Sequence, residues 1–227
     1  MVVITDDIAF VLHILESKIR KMFSSESSGH DIYHLRRVMN LALHIQDKEG
    51  GDRLVIAFAS FLHDLHRIMQ NETGKYCQPS DSLPKLRELL TFAGVSDRKI
   101  LQILRCVEFH EEYDFSDQGK TARDIETLIL QDADNLDAIG AIGIARVFSF
   151  GGAHNIPIWC PDVPLDGESP WDETKPPSPS QIHHFHEKLL RLKDNMNTTT
   201  GRILAVGRHK IMVDFLEEFF KEWEGIA

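Results

Sequence analysis

The residues most able to do chemistry in this 227-residue chain are His63 and Asp64, adjacent in the apolar run Leu54–His66, LVIAFASFLHDLH. An imidazole and a carboxylate buried side by side cost free energy unless each finds a partner, and a bound cation satisfies both. The same residue types recur in other apolar surroundings. His34 sits in HDIYHLRRV with Arg37 three residues on, His110 closes a helical pattern at FHEE, and Asp132, Asp134 and Asp137 interrupt LILQDADNLDA. Aspartate is a mediocre helix former, and three of them within an apolar helix are expensive without a cation to face. Mixed imidazole and carboxylate donors suit manganese, iron, cobalt, nickel or zinc better than a pure oxygen shell would. The competing reading is a set of hydrogen-bonded core histidines beside capping aspartates.

These groups need helices to bring them together. Leu54, Phe58, Phe61, Leu62 and Leu65 recur at three- and four-residue steps, so 54–66 reads as one helix pressed into the interior. Adjacent helical positions diverge by about 100°, so His63 and Asp64 grip one ion only if other helices complete its shell. A helix over about Asp31–Lys48, joined by the short Glu49–Asp52 turn, becomes an antiparallel neighbour and carries His34 to that ion. His34 and Arg37 share its surface. Before it, residues 5–23 read as an amphipathic helix with Thr5 as N-cap, followed by the SSESSG loop.

Ser80–Phe92, with Pro84 near its first turn, and a helix started by Ser96 lead to His110 at a helix end. The longest regular stretch is Thr121 to about Phe150, in which Asp134 and Asp137 share a face and Asp132 points away; one of the three is the expected ligand. Its small residues Ala138, Gly140, Ala141 and Gly143 admit a close helix neighbour. All of the nine prolines except Pro79 and Pro84 fall in 151–180, which reads as an ordered excursion or lid. Two antiparallel helices follow, Gln181 to about Asn195 and Gly201–Trp223. They carry Lys188, Arg191, Lys193, Arg202, Arg208, His209 and Lys210, a basic concentration in an acidic chain. The expected fold is an all-α bundle in a single domain of 1–227.

The balance of 25 Lys plus Arg against 35 Asp plus Glu gives a formal charge of -10, which argues against nucleic acid as a partner. A local basic patch in such a chain focuses one small anion. Cys77, Cys106 and Cys160 lie far apart with no Cys-x-x-Cys pair, so neither a zinc knuckle nor a disulfide framework is expected. The N-terminal residues are acidic where a secretory signal is basic, and no apolar run reaches bilayer length; the expectation is a cytoplasmic protein with no membrane partner. A homodimer remains open.

His34, His63-Asp64 and Asp134, in that order, resemble the H…HD…D pattern of the HD superfamily of metal-dependent phosphohydrolases. HDIYHLRRV resembles the H-x-x-R-V opening, FASFLHDLHR the apolar-HD helix, and ADNLDA the late A-D-x-x-(D/S)-A segment. QDADNLDAIGAIGIARVFSFGG and HFHEKLLRLKDNM with TTTGRILAVGRH are similar to a stand-alone bacterial branch resembling nucleoside triphosphate pyrophosphohydrolases. The resemblance implies an entirely α-helical fold with His34, His63, Asp64 and Asp134 as ligands of a divalent ion, Asp132 being the substitute for the last. Manganese is the first expectation for that ion, ahead of iron, cobalt, nickel, zinc or magnesium. Some HD nucleotidases place a general-base glutamate three residues after the HD aspartate; here that position is Arg67, and His66 precedes it.

What the resemblance implies chemically is hydrolysis of a (deoxy)nucleoside triphosphate to the monophosphate and pyrophosphate. In that scheme Asp64, Arg37 and His66 serve catalysis, while His110, Lys188, Lys193 and Arg208 hold substrate phosphates. Two alternatives stand beside it: a nucleotidase or phosphodiesterase acting on monophosphates or cyclic nucleotides, and a nucleotide-binding module without activity.

Overall fold

The computed structural model describes residues 4–24, 29–111, 124–165 and 178–226. Among these the fold is all-α, with no strand. Contacts divide the chain into two units, 1–26 with 30–134, and 27–29 with 135–227.

The first unit is built around α3 (Arg53–Leu62). Every residue from Val55 to Leu62 is buried, so α3 is enclosed on all sides rather than along one stripe. α2 (Ile32–Glu49) and α6 (Asp97–Phe109) pack against it, and α5 (Pro79–Phe92) packs on α6. Phe58 and Phe61, among the largest fully buried side chains, each contribute about 2 kcal/mol of burial. The start of α3 is pinned by Asp52, whose side chain accepts from the Leu54 and Val55 amides and pairs with Lys99. The Asp52 amide in turn donates to Glu126 at 2.8 Å, on α7 (Ile125–Asp137). α2 is capped by Asp31, which accepts from the His34 amide at 2.8 Å and so sets the turn that presents His34.

Several sequence expectations are corrected here. The stretch 54–66 is two helices, α3 and α4 (Leu65–Thr73), broken at His63-Asp64. Asp64 lies at φ -89, ψ 13, and Arg67 N–H bonds its carbonyl at 3.0 Å, a tightened turn that helical periodicity alone does not announce. α1 (Ile4–Ile19) begins one residue before Thr5, which therefore is not its cap. α5 starts at Pro79 with Gln78 and Asp81 forming a capping box, not at Ser80.

The long 121–150 helix, whose residues up to 134 belong to the first unit and the rest to the second, is likewise broken. α7 ends at Asp137, Ile139 is extended, Gly140 takes φ +78, and α8 (Gly140–His154) follows; 121–123 lie outside the described residues. Gly140 leaves room for Arg208 of α10 (Thr199–Trp223), whose Cβ and Cγ lie 3.0 Å from where a Cβ would stand. Gly143 instead accommodates backbone: an added Cβ meets the Ala138 carbonyl oxygen at 2.3 Å. Gly143→Ala is therefore expected to destabilise the protein by about 2–3 kcal/mol in urea unfolding, because a main-chain carbonyl cannot swing aside. An unchanged midpoint would show that the turn yields freely. Residues 151–154 belong to α8, and 166–177 of the expected excursion lie outside the described residues. The helix expected to Asn195 is α9 (Gln181–Glu187) followed by a 3-10 turn over Leu189–Asn195. Asp137 and Arg146, both deeply set in this unit, form an ion pair at 3.1 Å. No single described helix is long and apolar enough to cross a membrane.

Candidate metal centre

His63 and Asp64 stand at the break between α3 and α4. His63 Nε2 lies 3.6 Å from Asp64 Oδ1 and 3.6 Å from Asp134 Oδ1. His34 Nε2, from α2, lies 3.1 Å from Asp64 Oδ2 and 3.5 Å from Asp134 Oδ1. Of the aspartates on α7, Asp134 stands in a donor group with His34 and His63. Donors bonded at about 2.1 Å stand about 3.0 Å apart around an octahedral ion and about 3.4 Å around a tetrahedral one, so these separations are those of a coordination shell. His63 Nδ1 donates to the Ser60 carbonyl at 2.9 Å, which fixes one proton there and makes Nε2, on the side of the carboxylates, the nitrogen that ligates once the ring is neutral. That Nε2 is buried with no hydrogen-bond partner, as a metal-ligating nitrogen is before the ion arrives. His34, His63, Asp64 and Asp134 thus fit a divalent cation by donor type, spacing and orientation.

Carboxylates and imidazoles face each other closely enough to shift one another's pKa values. Burial works against charge on His63, but Asp64 and Asp134 outweigh it and raise its pKa to about 9. Burial likewise opposes ionisation of Asp64 and Asp134, yet the facing histidines hold both well below the usual carboxylate range. The Asp134 side chain remains 19% exposed, so the cluster is reached from one side.

Two residues without a sequence-assigned role join the cluster. His30 Nδ1 contacts Asp64 Oδ2 at 2.6 Å, and its ring meets that of His34 edge-on. The H-D-x-x-H spacing from His30 to His34 was the available signal. Glu111 follows His110 and receives Arg67 Nη2 at 2.6 Å. Burial raises its pKa, but His66, His110 and Arg67 overcome that and hold it at about 2. His66 and His110 are buried beside it, and burial lowers the His110 pKa. The rings of His30, His34, His63 and His110 form a chain with centroids 5.2 Å apart at each step, and His66 stands 6.0 Å from His110. Arg37 is half-buried one turn after His34 on α2.

The other expected site residues belong to the second unit. Lys188 sits at the break between α9 and the 3-10 turn, where it reinforces the effect of burial in lowering the His184 pKa to about 3. Lys193 lines an open cleft with Arg202, His209 and Lys210, in which Asp194 and Asp214 offset the positive charge. Arg208 donates from Nη1 to the Leu136 carbonyl, so part of its guanidinium is committed to holding α10 against the turn before α8.

Residues 31–139 match the HD domain family. Over 211 residues, 92% of this chain and 91% of the relative, the sequence is 36% identical to the uncharacterized protein YpgQ of Bacillus subtilis (strain 168). The chain belongs to the HD-domain family. Its fold agrees: the crystal structure of Bacillus subtilis YpgQ in complex with ADP superposes with a TM-score of 0.68 at 34% identity, covering 93% of this chain and 99% of that one. An HD-superfamily hydrolase from Bacillus thuringiensis superposes with a TM-score of 0.64 at 35% identity, covering 97% and 96%. The HD-domain match begins at the α2 cap and ends in the turn before α8, so it spans all four candidate ligands.

Proposed function

We propose that this HD-domain protein is a metal-dependent phosphohydrolase that cleaves (deoxy)nucleoside triphosphates between the α and β phosphates, giving monophosphate and pyrophosphate. The observation that carries the reading is the convergence of His34, His63, Asp64 and Asp134 at coordinating separations. Nucleotide as the substrate class is supported by the ADP bound in the structure of YpgQ, and triphosphate cleavage by the branch-specific segments around Asp134 and in 181–210. A divalent ion held by the four ligands supplies charge neutralisation at phosphorus and makes water more acidic. The chain's own residues do the rest. Asp64 and Asp134, kept ionised, fix the donor shell, and the Ser60 carbonyl holds His63 in the tautomer that ligates. Arg37, on the same helix as His34, is assigned to a phosphate oxygen, and His66 and His110 line the interior beside Asp64.

The test is product identification. Manganese-loaded protein incubated with a panel of ribo- and deoxynucleoside triphosphates is expected to release one pyrophosphate per monophosphate, read by phosphorus NMR. Orthophosphate from monophosphates, with triphosphates untouched, moves the assignment to a nucleotidase. A panel left wholly intact sinks the enzymatic reading.

A further inference from the structure

Partners outside a metal shell orient the ligands inside it. His63 has the Ser60 carbonyl, and Asp31, accepting from the His34 amide at 2.8 Å, sets the turn that carries His34. Asp64 has no such local restraint. It stands at the N-cap of α4, yet its side chain makes no capping hydrogen bond, and its backbone lies in the tightened turn at φ -89, ψ 13. The closest contact to its carboxylate comes from 34 residues earlier in the chain, His30 Nδ1 at 2.6 Å from Oδ2. An ionised carboxylate can only accept, so His30 donates. That hydrogen bond takes one lone pair of Oδ2 and leaves the rest of the carboxylate to the side of the cluster where His34 and His63 stand, at 3.1 and 3.6 Å.

Two observations separate this contact from ligation. Donors bound to one ion stand about 3.0 Å or more apart, whereas 2.6 Å is the reach of a short charge-assisted hydrogen bond, with the proton between the two atoms. The side chains of His34 and His63 are 0% exposed, and that of His30 is 29% exposed, so the ring belongs to the edge of the cluster. The His34 ring meets it edge-on, with centroids 5.2 Å apart, and bounds its movement on that side. We infer that His30 is a positioning residue of the metal centre: through Nδ1 it holds the Asp64 carboxylate in the orientation that ligates, and it is not itself a ligand. The inference rests on the four-ligand centre and so on the phosphohydrolase reading. It gives the adjacent residues His30 and Asp31, at the head of α2, one task each, the histidine orienting Asp64 and the aspartate setting the turn of His34.

The test is manganese(II) binding by the metal-stripped full chain, read by titration calorimetry, with circular dichroism to show that each variant folds. His30→Ala is expected to weaken manganese binding about 10- to 100-fold. His30→Asn, whose side-chain amide carries an N–H close to where Nδ1 stands, is expected to recover most of that loss. Electron spin-echo modulation of the manganese-loaded wild type is expected to count two coordinated imidazoles, those of His34 and His63, and the same two in His30→Ala. Unchanged affinity in folded His30→Ala, or His30→Asn as weak as His30→Ala, overturns the role and leaves the four-ligand centre standing. Three coordinated imidazoles in the wild type, falling to two without His30, also overturn it, by making His30 a ligand. A wild type that binds no manganese overturns the centre and this inference together. Should His30→Ala fail to fold, His30→Leu is read in its place, and the imidazole count in the wild type decides between orienting and ligating.

Discussion

Replacing Asp64 by asparagine is expected to strip the protein of bound manganese and to lower nucleotide hydrolysis by about 10³-fold or more, the loss of several kcal/mol of charge stabilisation. No other side chain is as central. Its two oxygens face His30, His34 and His63 at 2.6, 3.1 and 3.6 Å, and it belongs to three of the four groups of donors able to hold a cation among the described residues. Asparagine preserves the volume and the tightened turn between α3 and α4 but removes the anion that the imidazoles surround. The comparison with Asp132→Asn is informative, since Asp132 is buried on the same helix as Asp134 yet stands outside the donor groups. Metal content by mass spectrometry and turnover on triphosphates check the pair. Asp64→Asn retaining its metal, or Asp132→Asn losing it as fully, would show that the centre has been misplaced.

The order of helices and their buried faces were legible because apolar residues at three- and four-residue steps record which side is buried. Capping residues such as Asp31, Asp52 and Ser96 mark where helices begin. Breaks inside continuous helical pattern were not legible. His63-Asp64 and Ala138-Ile139 lie in runs as apolar and regular as any helix interior, and the turns there are imposed by tertiary packing and, at Gly140, by a left-handed φ. The expectation that His63 and Asp64, diverging by about 100°, need donors from other helices is met by His34 of α2 and Asp134 of α7. His30 and Glu111 are visible as residue types, but the contacts that bring them to the cluster are long-range. Partners separated by 34 residues, as for His30 and Asp64, or 44, as for Arg67 and Glu111, leave no periodic trace. Charge was legible as a total and as the basic concentration in 188–210, but not the donation from Arg208 Nη1 to the Leu136 carbonyl, which commits one of its five N–H donors to the fold.

Metal affinity should rise steeply with pH, by about tenfold per unit between pH 6 and 8, because His63 must lose a proton before it can ligate. Its pKa in the metal-free fold, about 9, exceeds the ordinary 6.5. The sign follows from linkage: a raised imidazole pKa stabilises the metal-free fold fully below pH 6.5, by about 3 kcal/mol, and that stabilisation is lost as pH climbs through 9. The depressed pKa of Asp64 acts in the opposite direction, contributing above the ordinary carboxylate value of 3.8 and failing only as pH falls toward its lowered value. Between those limits both carboxylates are already ionised, so the proton displaced by the first ion comes from His63. Titration calorimetry in two buffers of different ionisation enthalpy should accordingly report close to one proton released per first manganese bound at pH 7. In His63→Asn the residual binding should lose this pH slope along with most of its strength. Affinity that is flat from pH 6 to 8 in the wild type, with no proton released, would mean that the Nε2 of His63 is already bare, and the carboxylates around it would then have to be neutralised by something other than its charge.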